Sequence, residues 1–147
     1  MTLRAVVVDA SVYVADAVLG EASHAAASEL FVALARQGVD LYLPSIAMPE
    51  VAAAVARVVG DGTLAIEATK LYRAWPRTHI VPVDAWLSER TVEVASTRRI
   101  RGCDAIYVAL AQHLRITLVS LDHEQRERAP EDVTALTPSA ALLRLTG

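Results

Sequence analysis

Four acids stand where carboxylates could be put to chemical work. Asp9 directly follows the apolar run Ala5–Val8, Glu50 and Asp104 open helix-like segments, and Asp122 follows the apolar run 116–120. Carboxylates gathered within a few ångströms repel one another and must take up protons or a cation. An oxygen-only donor set suits Mg²⁺ or Mn²⁺ better than zinc. The single cysteine, Cys103, and the four histidines, His24, His79, His113 and His123, offer no zinc-ligand spacing. A hard divalent ion in such a site clamps a phosphoryl oxygen, lowers the pKa of its water and orients an in-line attack. The chemistry that these residue types point to is phosphodiester hydrolysis.

Elements of the right kind must bring the four together. Ala5–Val8 reads as a strand covered on both faces, as in a parallel sheet. Helical spacing follows over 10–18 and 22–37, with Leu30, Phe31 and Leu34 on one side, and Gly20 and Gly38 mark the ends. A second strand is expected over 39–43. The next helix ends at Val59 and begins near Ala47 or Met48, because Pro49 is comfortable only in a first turn. Val51, Val55, Val58 and Val59 are expected on its buried side. Further helices are expected over 63–74, from a cap at Asp84 to about Arg99, and over 104–115, with Ile106, Ala109, Leu110 and Leu114 inward. Strands are expected over 79–83, 116–120 and, weakly, 133–136; a short polar helix over 123–129 and a last one after Pro138 complete the series. Strands alternating with helices of this length call for right-handed crossovers, hence a three-layer α/β/α fold with a mainly parallel central sheet. In open sheets of this class ligands bind at the carboxyl ends of the strands, the edge to which Asp9, Glu50 and Asp122 are delivered.

The blocks Val7-Val8-Asp9-Ala10-Ser11, Leu43 to Val51, Cys103 to Ala111 and Thr117 to Asp122, in this order, resemble the PIN-domain ribonucleases, and most closely the VapC-type toxins. The resemblance implies Mg²⁺- or Mn²⁺-dependent endoribonuclease activity on RNA, homodimerisation, and a small antitoxin that blocks the site. It matches Asp9, Glu50, Asp104 and Asp122 to the family's acidic quartet, and Ser11 and Ser120 to hydroxyl residues that orient carboxylates. Asp9 and Asp104 are expected as the principal metal ligands, with Asp122 and Glu50 acting through water or positioning the nucleophile.

The 147 residues are 54% hydrophobic and carry a formal charge of −3, which excludes global disorder and does not itself signal a nucleic-acid binder. Counting the four acids with a bound cation brings the balance to about +1. All the basic side chains but Lys70 are arginines, suited to bidentate phosphate contacts. Arg98, Arg99 and Arg101 precede Asp104, and Arg126 and Arg128 follow Asp122; they are candidates to hold RNA. Nothing in the composition divides residues 1–147, and one domain is expected. No apolar run reaches the roughly 18 residues of a membrane span. With no leader-like start and one cysteine, a soluble cytoplasmic protein is expected.

Simpler readings compete. Taken singly, Glu50 and Asp104 suit helix N-terminal turns, and Asp122 could merely start a polar helix. Cys103 reads as a small packed residue, Trp75 and Trp86 as core or interface, and the Ala-rich stretches 25–27 and 52–56 as close-packing or dimer faces. A receiver-type signalling domain fits poorly, since it needs a late lysine. A stand-alone RNA-processing nuclease and a non-catalytic binding module of the same fold remain the alternatives to a toxin.

Overall fold

The structure, a computed structural model, describes residues 2–146. Its strands are β1 (Ala5–Val8), β2 (Asp40–Pro44), β3 (Thr78–Val81), β4 (Thr117–Val119) and β5 (Ala135–Leu136). They form a five-stranded, wholly parallel sheet in the order β3-β2-β1-β4-β5. The helices are α1 (Ala10–Ala17), α2 (His24–Arg36), α3 (Ala47–Val59), α4 (Gly62–Ala74), α5 (Ala85–Arg98), α6 (Gly102–Leu114), α7 (His123–Arg128) and α8 (Pro138–Thr146). One layer packs α1 on α2 and α3, α3 on α4, and α2 on α8; the other packs α5 and α7 on α6, which lies against β1, β2 and β4. The expected three-layer α/β/α architecture is the one observed.

The strand order explains why the site lies where it does. From β1 the chain steps outward through β2 to β3, then returns across the sheet to β4 and β5 on the other side of β1. The reversal falls between β1 and β4, and the crevice that it opens at their carboxyl ends is where this class of sheet binds ligands. Val6, Val7 and Val8 are wholly buried, as a central strand with helices on both faces requires. Tyr13, Phe31, Tyr72 and Trp75 stack into one aromatic cluster under α1 and α2, which places Trp75 in the packing as expected. Trp86 instead lies against His113 near the surface.

Several expectations are corrected. Val58 and Val59 are 59% and 44% exposed, because α3 outlasts the core and ends at the left-handed Gly60. Cys103 is exposed, since α6 begins at Gly102, two residues early, and its first turn overhangs solvent. The last strand shrinks to two residues, because β5 pairs with β4 alone at the sheet edge. Ile106 and Leu114 are only half-buried, whereas Ala109 and Leu110 are buried.

Candidate active site

Asp9 is fixed by its neighbours before any ligand is considered. It follows β1 and caps α1, and the residue as a whole is 4% exposed. Its Oδ2 accepts from Ser11 N at 3.3 Å, from Ser11 Oγ, and from Ser120 Oγ at 3.0 Å. Its Oδ1 accepts from Gln125 Nε2 at 3.2 Å. The two serines bind in both directions, for Leu121 N donates to Ser11 Oγ at 3.1 Å and Asp122 N to Ser120 Oγ at 2.9 Å. The ends of β1 and β4 are thereby tied together around one carboxylate.

The other three acids converge on Asp9. Asp122 caps α7, its Oδ1 accepting from Glu124 N at 2.8 Å and Gln125 N at 3.2 Å. Glu50, in the first turn of α3, accepts at Oε1 from the Tyr107 hydroxyl at 2.5 Å. Asp104, in the first turn of α6, accepts at Oδ2 from Arg101 Nε at 3.3 Å. Among the described residues no protein group donates to Asp122 Oδ2, Glu50 Oε2 or Asp104 Oδ1, so three carboxylates each keep an oxygen for another partner.

Charge repulsion registers the convergence. Burial raises the Glu50 carboxyl above its ordinary range; the Tyr107 hydrogen bond opposes this, and the charges of Asp9 and Asp104 add to it. Burial likewise raises Asp104, with Asp122 and then Asp9 adding to the rise and Arg101 opposing it. Glu50 and Asp104 are thus both raised by burial and by the charges of neighbouring acids. They line one cleft of about 660 Å³ that continues past Ala53 and Ala54 to Arg57 and Glu21.

The donor set fits a hard divalent cation, though not as a ready-made cage. Among the described residues, no three His, Cys, Asp or Glu side chains stand close enough to ligate one ion together. Mg²⁺ keeps several waters and takes one or two carboxylates directly, which agrees with acids that share a cleft without touching.

The candidate RNA-contacting arginines are placed unequally. Arg98 donates to the carbonyls of Arg128 and Ala129 at 2.8 and 3.1 Å, which ties α5 to the end of α7. Arg126 donates to the Ser120 carbonyl at 3.0 Å. Arg99 ends α5 in a left-handed turn, its carbonyl bound by Arg128 at 2.6 Å. Arg101, 80% exposed, is the one of the five whose guanidinium reaches a site acid. Tyr107, Gln125 and Arg57 also reach the acids or their cleft, although no motif marks them. Their signal is helical spacing: each lies three or seven residues beyond a site acid, on the same helix face.

Residues 6–130 match the family model described as PIN domain. The chain belongs to the PIN domain family. No curated protein sequence matches it. Among solved structures this PIN domain is similar to VapC20 of Mycobacterium tuberculosis, described as a sarcin-ricin-loop-cleaving toxin, at 20% identity and a TM-score of 0.72 over 88% of this chain and 98% of that one. It is similar to PAE2754 of Pyrobaculum aerophilum at 19% identity and a TM-score of 0.72, over 96% and 88%. It is also similar to VapBC2 of Rickettsia felis, solved bound to a promoter DNA fragment, at 15% identity and a TM-score of 0.68, over 90% and 98%. At these identities the likeness establishes the PIN fold. Within it, Asp9, Glu50, Asp104 and Asp122 occupy the carboxyl edge of the sheet together.

Proposed function

We propose that this PIN domain is a Mg²⁺- or Mn²⁺-dependent endoribonuclease and the toxin of a toxin-antitoxin pair. The observation that carries the reading is the coupled quartet, since three half-satisfied carboxylates beside the buried Asp9 are costly unless a cation neutralises them. When bound, the ion would activate water and stabilise the charge that develops on the phosphoryl oxygens. Asp9 and Asp104 would hold the ion as its principal ligands. Glu50 and Asp122 would position water and orient the nucleophile. Ser11, Ser120 and Gln125 keep Asp9 aimed at the cleft, and Tyr107 does the same for Glu50.

An RNA substrate agrees with the sarcin-ricin-loop cleavage described for VapC20, and a protein antitoxin with the pairs VapBC2 of Rickettsia felis and FitAB and the toxin-antitoxin complex of Klebsiella pneumoniae. Homodimerisation draws support from Val58, Val59, Leu64 and Leu71, which α3 and α4 leave exposed. No helix of the described residues is long and apolar enough to cross a membrane, which agrees with action on RNA in the cytoplasm.

The test is cleavage of end-labelled total RNA and tRNA by the purified chain with Mg²⁺ or Mn²⁺, with EDTA and Asp9→Asn as controls. Discrete cuts that vanish in both controls are expected. Absence of cuts, together with no Mn²⁺ binding by calorimetry, would overturn the nuclease reading in favour of a non-catalytic module.

A further inference from the structure

The cleft is too large for its acids alone. Its volume of about 660 Å³ lies within the range of sites that enclose an organic ligand, about 300–1,000 Å³. Beyond the quartet it runs along one face of α3, on which Ala53, Ala54 and Arg57 stand three, four and seven residues after Glu50. Arg57 therefore stands roughly 10 Å along the helix axis from Glu50. Among the described residues it is the only cationic one lining the cleft. Arg57 makes no side-chain hydrogen bond or ion pair with any described residue, unlike Arg98, Arg101, Arg126 and Arg128, which are all engaged. The floor between Glu50 and Arg57 is alanine, and no aromatic ring lines the cleft on which a base could stack.

We infer that Arg57 is a phosphate-binding residue that holds the backbone of a single-stranded RNA at the end of the cleft remote from the acidic quartet, an end that Glu21 also lines. This rests on the proposed RNA-cleaving function. An extended polyanion is the ligand whose charges repeat along its length. One phosphate lies at the quartet, where the cation offsets the carboxylates, and a neighbouring phosphate meets Arg57. The small, ring-free floor lets sugar and backbone lie close to α3 without reading the base. Arg57 thus contributes affinity and register along the strand, while base selection is left to other surfaces. A guanidinium suits this role through its planar, bidentate donors.

The test is the salt dependence of RNA binding, read by fluorescence anisotropy of a labelled single-stranded oligonucleotide with Ca²⁺ in place of Mg²⁺. Each phosphate contact on a single strand contributes about 0.7 to the slope of log affinity against log salt. Arg57→Ala should reduce the slope by about 0.7 and weaken binding about two- to fivefold near physiological salt. Arg57→Lys should restore the slope. Arg144→Ala, which removes an exposed cation beside the opposite edge of the sheet, should leave it unchanged. A wild-type slope in Arg57→Ala, or an equal fall in Arg144→Ala, overturns the assignment of Arg57. A wild-type chain with no salt-dependent RNA affinity overturns the RNA reading itself, and the assignment with it.

Discussion

Asp104→Asn should abolish cleavage and yet stabilise the metal-free protein. The Asp104 side chain is 18% exposed, so burial disfavours its charge first of all; it takes no backbone N–H hydrogen bond from any described residue, and it feels the charges of Asp122 and Asp9. A like charge at the edge of a half-buried cleft costs roughly 1 kcal/mol, and Asp104 has two such neighbours. Against this stand the α6 macrodipole, worth about 0.5 kcal/mol, and the ion pair with Arg101, worth about 0.5 kcal/mol at its 80% exposure. The net gain is about 1 kcal/mol, or about 3 °C in Tm for a chain of this size. Thermal melts by circular dichroism in EDTA at pH 7.5 measure it. The pH dependence has a definite sign. A carboxyl whose pKa is higher folded than unfolded binds its proton more tightly in the native state, so wild-type stability in EDTA rises as pH falls from the raised pKa towards the unfolded value. The advantage of Asp104→Asn should therefore shrink in mild acid, where Asp104 is already neutral. It should also vanish in saturating Mn²⁺, which stabilises the wild type by mass action. A variant less stable than wild type in EDTA at pH 7.5 would refute the reasoning, because it would make Asp104 a satisfied helix-start residue and no member of a strained cluster.

Further outcomes follow from the same contacts. Tyr107→Phe removes the donor to Glu50 while keeping the ring that packs in the core, and calorimetry should find Mn²⁺ affinity lowered about tenfold; an unchanged affinity would leave Glu50 outside the metal centre. Arg98→Ala breaks two hydrogen bonds to the carbonyls at the end of α7, so denaturant unfolding should show a loss of about 1 kcal/mol with RNA affinity unaltered. A fall in RNA affinity without a loss of stability would return Arg98 to the RNA interface.

Much of this was legible in the residue order, for reasons that differ from element to element. The unbroken valines of β1 could only be a strand covered on both faces, and Asp9 at its end therefore had to face the ligand edge. Pro49 fixed the start of α3 to within a residue, and with it the position of Glu50. Val58 and Val59 misled because helical periodicity states which side of α3 they share and not where the core beneath it stops. The arginines misled for a related reason. Nearness in sequence to an acid says nothing about the carbonyls that end α5 and α7, and those carbonyls, absent from any side-chain pattern, claim Arg98 and Arg128. Arg57 lay seven residues from Glu50 with no motif to mark it, and only the course of the cleft along α3 brings it into view.

The knot of hydrogen bonds around Asp9 also sets a schedule. Its partners Ser120 and Gln125 lie more than a hundred residues further along the chain, so the carboxylate is not held in place until they have been made and β4 has docked beside β1. Contacts of such long sequence separation form late, because the closure entropy of the intervening loop must be met before they return anything. A chain still emerging from the ribosome, within reach of abundant RNA, thus carries its first acid without the two strand ends that arm it. On the proposed toxin reading, the site is armed only once residue 125 has been made and folded back, and that interval gives an antitoxin time to arrive.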